Sequence, residues 1–429
     1  MHRFSGISLL LAVLACAGAV QAQPGGGIEW AGPPQVCRLP VGPASVDVAR
    51  GTKRAARAAC ATPTAQFAVT YTGFPAEAQA AFQAAVDTWA CQLVARGTIR
   101  VDARWEPLDA TTLGSAGPYL VRNFPSAPLG DTWYPAALAN EIAGRDLDPS
   151  QPDIEARFNS QFDAWHLDPT QAPPAGRYDL ATVVLHELGH GLGLIGAPTV
   201  DNGRGFIGDV GGTRGAYIYD RFTEDRLGTA ILDASVYPDG SVELAAVLQQ
   251  TVRFDGPAVQ QVSGGPLALY APPRWDDGAS YSHLNETTYP PGTPDGLMTP
   301  FLTRGEAIEA PGARTCGLFS DLGWVLANEC AALVGVRPTV TDALTVRLAG
   351  GNPFEQRTSV RIEVRIRQRV RATLIDPMGR TIRALADREV SAGDVLTVDV
   401  DGRGLASGVY LVHVVGEGGE ATLPLVRVR

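Results

Sequence analysis

The stretch HELGHGLGLIGAP, His186–Pro198, carries two imidazoles four residues apart with a carboxylate between them. On an α-helix, residues i and i+4 share one face about a turn apart, roughly 6 Å along the axis. His186 and His190 can therefore present nitrogens to one Zn²⁺. Glu187 lies one step round, where it reaches a water at the metal without ligating it. Metal-assisted hydrolysis is the chemistry such a set performs. Position 196, where a third histidine would complete a compact site, is Gly196.

The elements around this stretch limit the possible third ligand. Spacing predicts a helix over 179–192, with Asp179 as N-cap and the apolar run LATVVL burying it. Gly191, Gly193 and Gly196 follow at once, so the helix should end near Gly193 with that residue left-handed. Early termination disfavours a glutamate ligand on a second helix and favours a chain that doubles back under the metal. Six histidines are present. With His2 in an N-terminal apolar leader and His413 near the C-terminus, His166 and His283 remain, and an acidic substitute in YDRFTED, Asp220 or Glu224, stays open.

HExxHxxG with a methionine turn downstream resembles the metzincin zinc peptidases. HELGHGLG, an insertion over about 197–280, then SHL and LMTP is similar to the leishmanolysin-like branch. The resemblance implies His186, His190 and His283 as zinc ligands, Met298 beneath the metal, and Pro300 walling a substrate pocket. It implies peptide hydrolysis by a zinc-bound water with Glu187 as general base. Tyr281 and Tyr289 are either oxyanion donors or packing residues. Cys37, in PQVCRLPVG, faintly resembles the cysteine switch of matrix metallopeptidases; a disulfide with Cys60 is the preferred reading.

Across the 429 residues, 45% hydrophobic and 19% charged content is ordinary for globular protein, and a net charge of −10 argues against nucleic acid as partner. Residues 1–22 read as a secretory signal, with lipoprotein processing at Cys16 a lesser alternative, and no later segment is apolar enough to span a membrane. Export makes disulfides plausible, Cys316–Cys330 first among them. Residues 23–64 read as a leader or propeptide without sustained period. The zinc peptidase domain is expected over 65–330, opening with a strand at 67–71, a helix at 75–94 and a strand at 98–105. A linker over 331–344 precedes a β-sandwich at 345–429, where strands alternate with period two.

GNPFEQRTSVRIEV, ATLIDPMGR and LASGVYLVHV in this tail resemble the sorting domain of proteins exported by the type IX secretion system. The resemblance implies passage across an outer membrane and contact with the secretion machinery. The sequence thus predicts an α+β, metzincin-like two-lobed zinc peptidase domain followed by a small β-sandwich: a secreted or cell-surface zinc endopeptidase acting on protein or peptide substrates. The opposing reading is a catalytically degenerate adhesin or binding protein on a peptidase scaffold; a zinc hydrolase of non-peptide amides is a third.

Overall fold

A computed structural model describes residues 28–32, 37–42, 60, 62–210, 213–335, 344–364, 367–376, 380–391, 393–416 and 419–428. The signal and Cys16 readings, and most of the linker, lie outside these residues. The chain divides into two compact units, 1–335 and 336–429, and both strands and helices build it.

A mixed sheet of five strands organises the larger unit. In chain order these are β1 (Cys37–Pro40), β2 (Gln66–Thr72), β3 (Thr98–Glu106), β4 (Thr112–Pro118) and β5 (Ile154–Asn159), with α1 (Ala76–Gln92) between β2 and β3. Their order across the sheet is β1-β4-β5-β3-β2. β2, β3 and β5 run parallel, as the crossover through α1 requires, while β4 lies antiparallel between β5 and β1. The residue types explain the elements. FAVTY alternates, β3 is rich in β-branched and aromatic residues, and α1 buries Ala78, Phe82, Val86 and Trp89 at helical spacing.

The leader does more than the sequence indicates. Glu29–Ala31 pairs with Leu120–Arg122, and β1 takes the edge of the main sheet. The expected Cys37–Cys60 disulfide does not form: Cys60 pairs with Cys91 at the end of α1, and Cys37 is free and buried. Cys316 and Cys330 pair as expected. Spacing along the chain says nothing about which ends meet; β1 carries Cys37 across the sheet, away from α1.

The helix α2 (Leu180–Gly191) is buried at every residue. Each large apolar side chain removed from water there contributes about 1.5–3 kcal/mol. Asp179 caps it, accepting from the Thr182 N–H at 3.1 Å, as the sequence predicts. Trp89 and Trp324 donate their indole N–H groups to Leu185 O and Leu192 O, fixing α2 against α1 and against the turn that follows the helix Ala313–Leu322. Gly193 has φ +130° and turns the chain away, the expected sign. The insertion is less irregular than its turn-rich sequence indicates. It holds short hairpins and two helices of seven residues, Val242–Leu248 and Pro257–Ser263.

The smaller unit packs two antiparallel sheets. Its strands are β6 (Leu344–Leu348), β7 (Arg357–Val364), β8 (Gln368–Ile375), β9 (Thr381–Val390), β10 (Val395–Asp401), β11 (Gly408–Gly416) and β12 (Gly419–Arg427). One sheet has the order β6-β7-β10, the other β9-β8-β11-β12. Alternate residues such as Val360, Ile362, Val370, Ala372, Val398 and Val412 form one shared core. No helix among the described residues is long and apolar enough to cross a membrane.

Candidate metal centre

Three imidazoles converge at the C-terminal half of α2. The Nε2 atoms of His186 and His190 are 3.0 Å apart, those of His190 and His283 3.1 Å, and those of His283 and His186 3.2 Å. Each ring is anchored through its other nitrogen: Nδ1 of His186 donates to Leu297 O at 2.6 Å, that of His190 to Leu194 O at 2.7 Å, and that of His283 to Ala279 O at 2.6 Å. A carbonyl only accepts, so each Nδ1 carries the proton and each Nε2 presents a lone pair. Three lone pairs facing one another at this distance repel unless a cation lies between them. A tetrahedral Zn²⁺ with Zn–N of about 2.05 Å needs nitrogens about 3.3 Å apart. The residues present therefore fit such a metal, and the carbonyl anchors are the outer-sphere contacts that fix tautomer and ring orientation.

Burial holds the His186 imidazole down to about 4, against a smaller upward pull from its bond to Leu297. Burial likewise lowers His190 and His283 well below the usual range. All three rings are neutral at pH 7, the form that ligates.

Glu187 is completely buried, and both carboxyl oxygens lack a hydrogen-bond partner. Burial raises its pKa well above the usual carboxylate range. The backbone N–H groups of Ala116 and Leu39 face it and pull the pKa back, yet neither closes a hydrogen bond. An orphaned buried carboxyl is costly. A cation at the neighbouring histidines would favour its ionised form, so the orphan and the convergent nitrogens point to the same absent group.

Met298 packs against α2 at Gly189. It is 1% exposed, and a Cβ built on Gly189 would fall 2.8 Å from its Sδ. The second glycine-dependent contact is at Gly196, where a Cβ would overlap the Tyr281 ring and stand 2.8 Å from Asp220 Oδ1. The Gly196 N–H donates to Ser282 Oγ at 3.0 Å, next to His283. The residue that breaks the compact motif thus lets the distal segment bearing His283 dock on the end of α2.

The remaining candidates have other work. Asp220 accepts from Tyr217 N and Ala197 N, burial raising its carboxyl to about 7 while those bonds pull it back. Glu224 pairs with Arg253 at 2.6 Å. His166 lies in a two-residue strand paired with Tyr178–Asp179, not in the expected loop, and meets Gln171 O at 2.9 Å. Tyr281, at φ +73°, is held by Thr223 through its hydroxyl and by Tyr219 through its carbonyl, so it is a packing residue that aims His283. Tyr289 stacks with Arg314. Pro300 is buried beside the methionine turn.

Sequence reasoning placed Cys37 elsewhere. Its sulfur and the ligating nitrogens of His190 and His283 all lie within 4.8 Å of one another, and all three residues are buried. Burial pushes the thiol up, with the Glu187 charge adding to that and a bond from Ser282 opposing it. The position of Cys37 three residues before Pro40 was the available signal. The usual flanking residues of a cysteine switch are absent, which favours the disulfide, and nothing in the sequence reveals that β1 brings Cys37 to the histidines.

No family model matches the chain, and no curated protein matches it.

Proposed function

We propose that this chain is an exported zinc endopeptidase of the metzincin type, presented here with its metal site capped by Cys37. The carrying observation is the triangle of Nε2 atoms, each ring locked by a backbone carbonyl, beside the orphaned Glu187 carboxyl. Zinc, when bound by His186, His190 and His283, supplies a Lewis acid that polarises a carbonyl oxygen and acidifies a water. Glu187 takes the proton from the attacking water and delivers it to the leaving amine, a role suited to a buried carboxyl whose affinity for protons is raised. With β1 withdrawn, β4 would offer an extended peptide its backbone groups along one edge of the sheet. Cys37, whose sulfur lies near His190 and His283, would supply a further ligand to a metal held there, so the leader would have to withdraw before a substrate enters. The smaller unit serves as the export and sorting domain; its seven alternating strands and the NPF and SGVY sequences support that reading.

Hydrolysis of casein, with zinc content, tests this on the Cys37→Ala chain. Adding Glu187→Gln is expected to leave one zinc in place while activity falls by about 10²–10⁴. Adding His283→Ala should empty the site. Hydrolysis that survives Glu187→Gln, or a folded chain that takes up no zinc, overturns the proposal and leaves a binding protein.

A further inference from the structure

β1 is seated between two walls of backbone. On one side it pairs antiparallel with β4, Cys37 opposite Ala116 and Leu39 opposite Gly114. On the other, Arg38 N donates to Gly278 O at 3.1 Å, and beyond the strand Gly42 N donates to Leu302 O at 3.1 Å. Without this segment β4 would be the open edge of a four-stranded sheet, with a facing rim at Gly278 and Leu302. Main-chain bonding does not depend on side-chain identity, so such a slot receives any extended peptide and selects only through the side chains.

Strand geometry sorts those side chains by face. Cys37 and Leu39 point inward, 3% and 1% exposed, with the sulfur at the histidines and the Leu39 N–H facing Glu187. Arg38 points outward, at a cavity of about 450 Å³ beside the metal centre. Asp201 and Asp277 line this cavity with Trp275, and among the described residues Arg38 is its one cationic lining residue. The segment thus offers an apolar group to the inner face and a cation to an acidic outer pocket.

We infer that residues 37–42 mimic substrate, and that the cleft selects peptides with an apolar side chain at the Leu39 register and a basic side chain at the Arg38 register. The inference rests on the peptidase reading. The Asp201–Asp277 pocket is the specificity site for the cation, and Leu39 fills the apolar subsite beside Glu187.

Alkylation of Cys37 by iodoacetamide in the full chain reads how firmly the segment is seated, without requiring catalysis. Arg38→Glu and Leu39→Ala should each speed alkylation about tenfold or more, the loss of a like-sized binding energy. Arg38→Lys should leave it near the parent rate, and Asp277→Asn with Asp201→Asn should erase the difference between Arg38 and Arg38→Glu. The Cys37→Ala chain should cleave fluorogenic peptides with arginine at that register about tenfold faster than matched glutamate peptides. Equal alkylation of Arg38→Glu and parent, or cleavage at equal rates, overturns the inference alone. Cleavage of no peptide by a folded, zinc-loaded chain in which Cys37→Ala is combined with Arg38→Glu and Leu39→Ala to unseat the segment overturns the peptidase reading and the inference with it.

Discussion

A side chain at position 196 would collide with Tyr281, while the backbone N–H there holds Ser282. One residue thus decides whether the His283 segment can reach α2. Gly196→Ala should therefore destabilise the protein by about 1–3 kcal/mol and loosen metal binding, read by thermal melting and zinc retention. Gly97→Ala is the control: nothing lies within 4 Å of a Cβ there, and a gain of about 0.4–1 kcal/mol is expected. Equal effects at both positions would sink this reading of Gly196. His186, Glu187 and His190 were legible in the sequence because a helix turns a spacing of four into a shared face. His283 was reached through the histidine count and the motif resemblance. Cys37 was raised only as the lesser alternative to a disulfide with Cys60, because its approach to the histidines depends on the path of β1, which no local pattern encodes.

At the level of elements, β5 is held in register by a buried carboxyl just before it. Asp153 is 3% exposed, accepts from Arg100 N at 2.7 Å and Asn140 Nδ2 at 2.8 Å, and is raised to about 6 chiefly by burial. Its folded pKa lies above the ordinary aspartate value of 3.8, so the native state holds the proton longer. The stability this supplies is complete below 3.8 and is lost as pH rises through 6, an amount of about 3 kcal/mol for the full shift. Denaturation curves of the parent and Asp153→Asn from pH 3.5 to 7.5 should diverge in slope over that window and run parallel above it. Identical slopes throughout would remove Asp153 from the pH response. The main strands and both long helices were legible because their periods are clean: β2, β3, α1 and α2 fall within two residues of the expected bounds. The insertion and the leader were not, since their strands of two to four residues are too short to show a period and are fixed by tertiary partners.

For the whole molecule, two units with separate cores were legible from the change from mixed helix and strand to pure alternation near residue 344. The candidate metal site lies in the unit of residues 1–335. An EDTA-treated chain should lose stability in the unit of residues 1–335, because binding to the native state alone stabilises it. An isolated fragment of residues 336–429 should melt identically with and without EDTA. A fragment that responds to the chelator would place a metal in the smaller unit, whose described residues form an apolar core.

The central claim is that three histidines and the leader cysteine together hold one zinc. Zinc-edge X-ray absorption on the full chain measures this directly. Three nitrogens at about 2.0–2.1 Å and one sulfur at about 2.3 Å are expected, with the sulfur lost in Cys37→Ala. An oxygen-dominated shell, or a folded chain that binds no zinc, would contradict it.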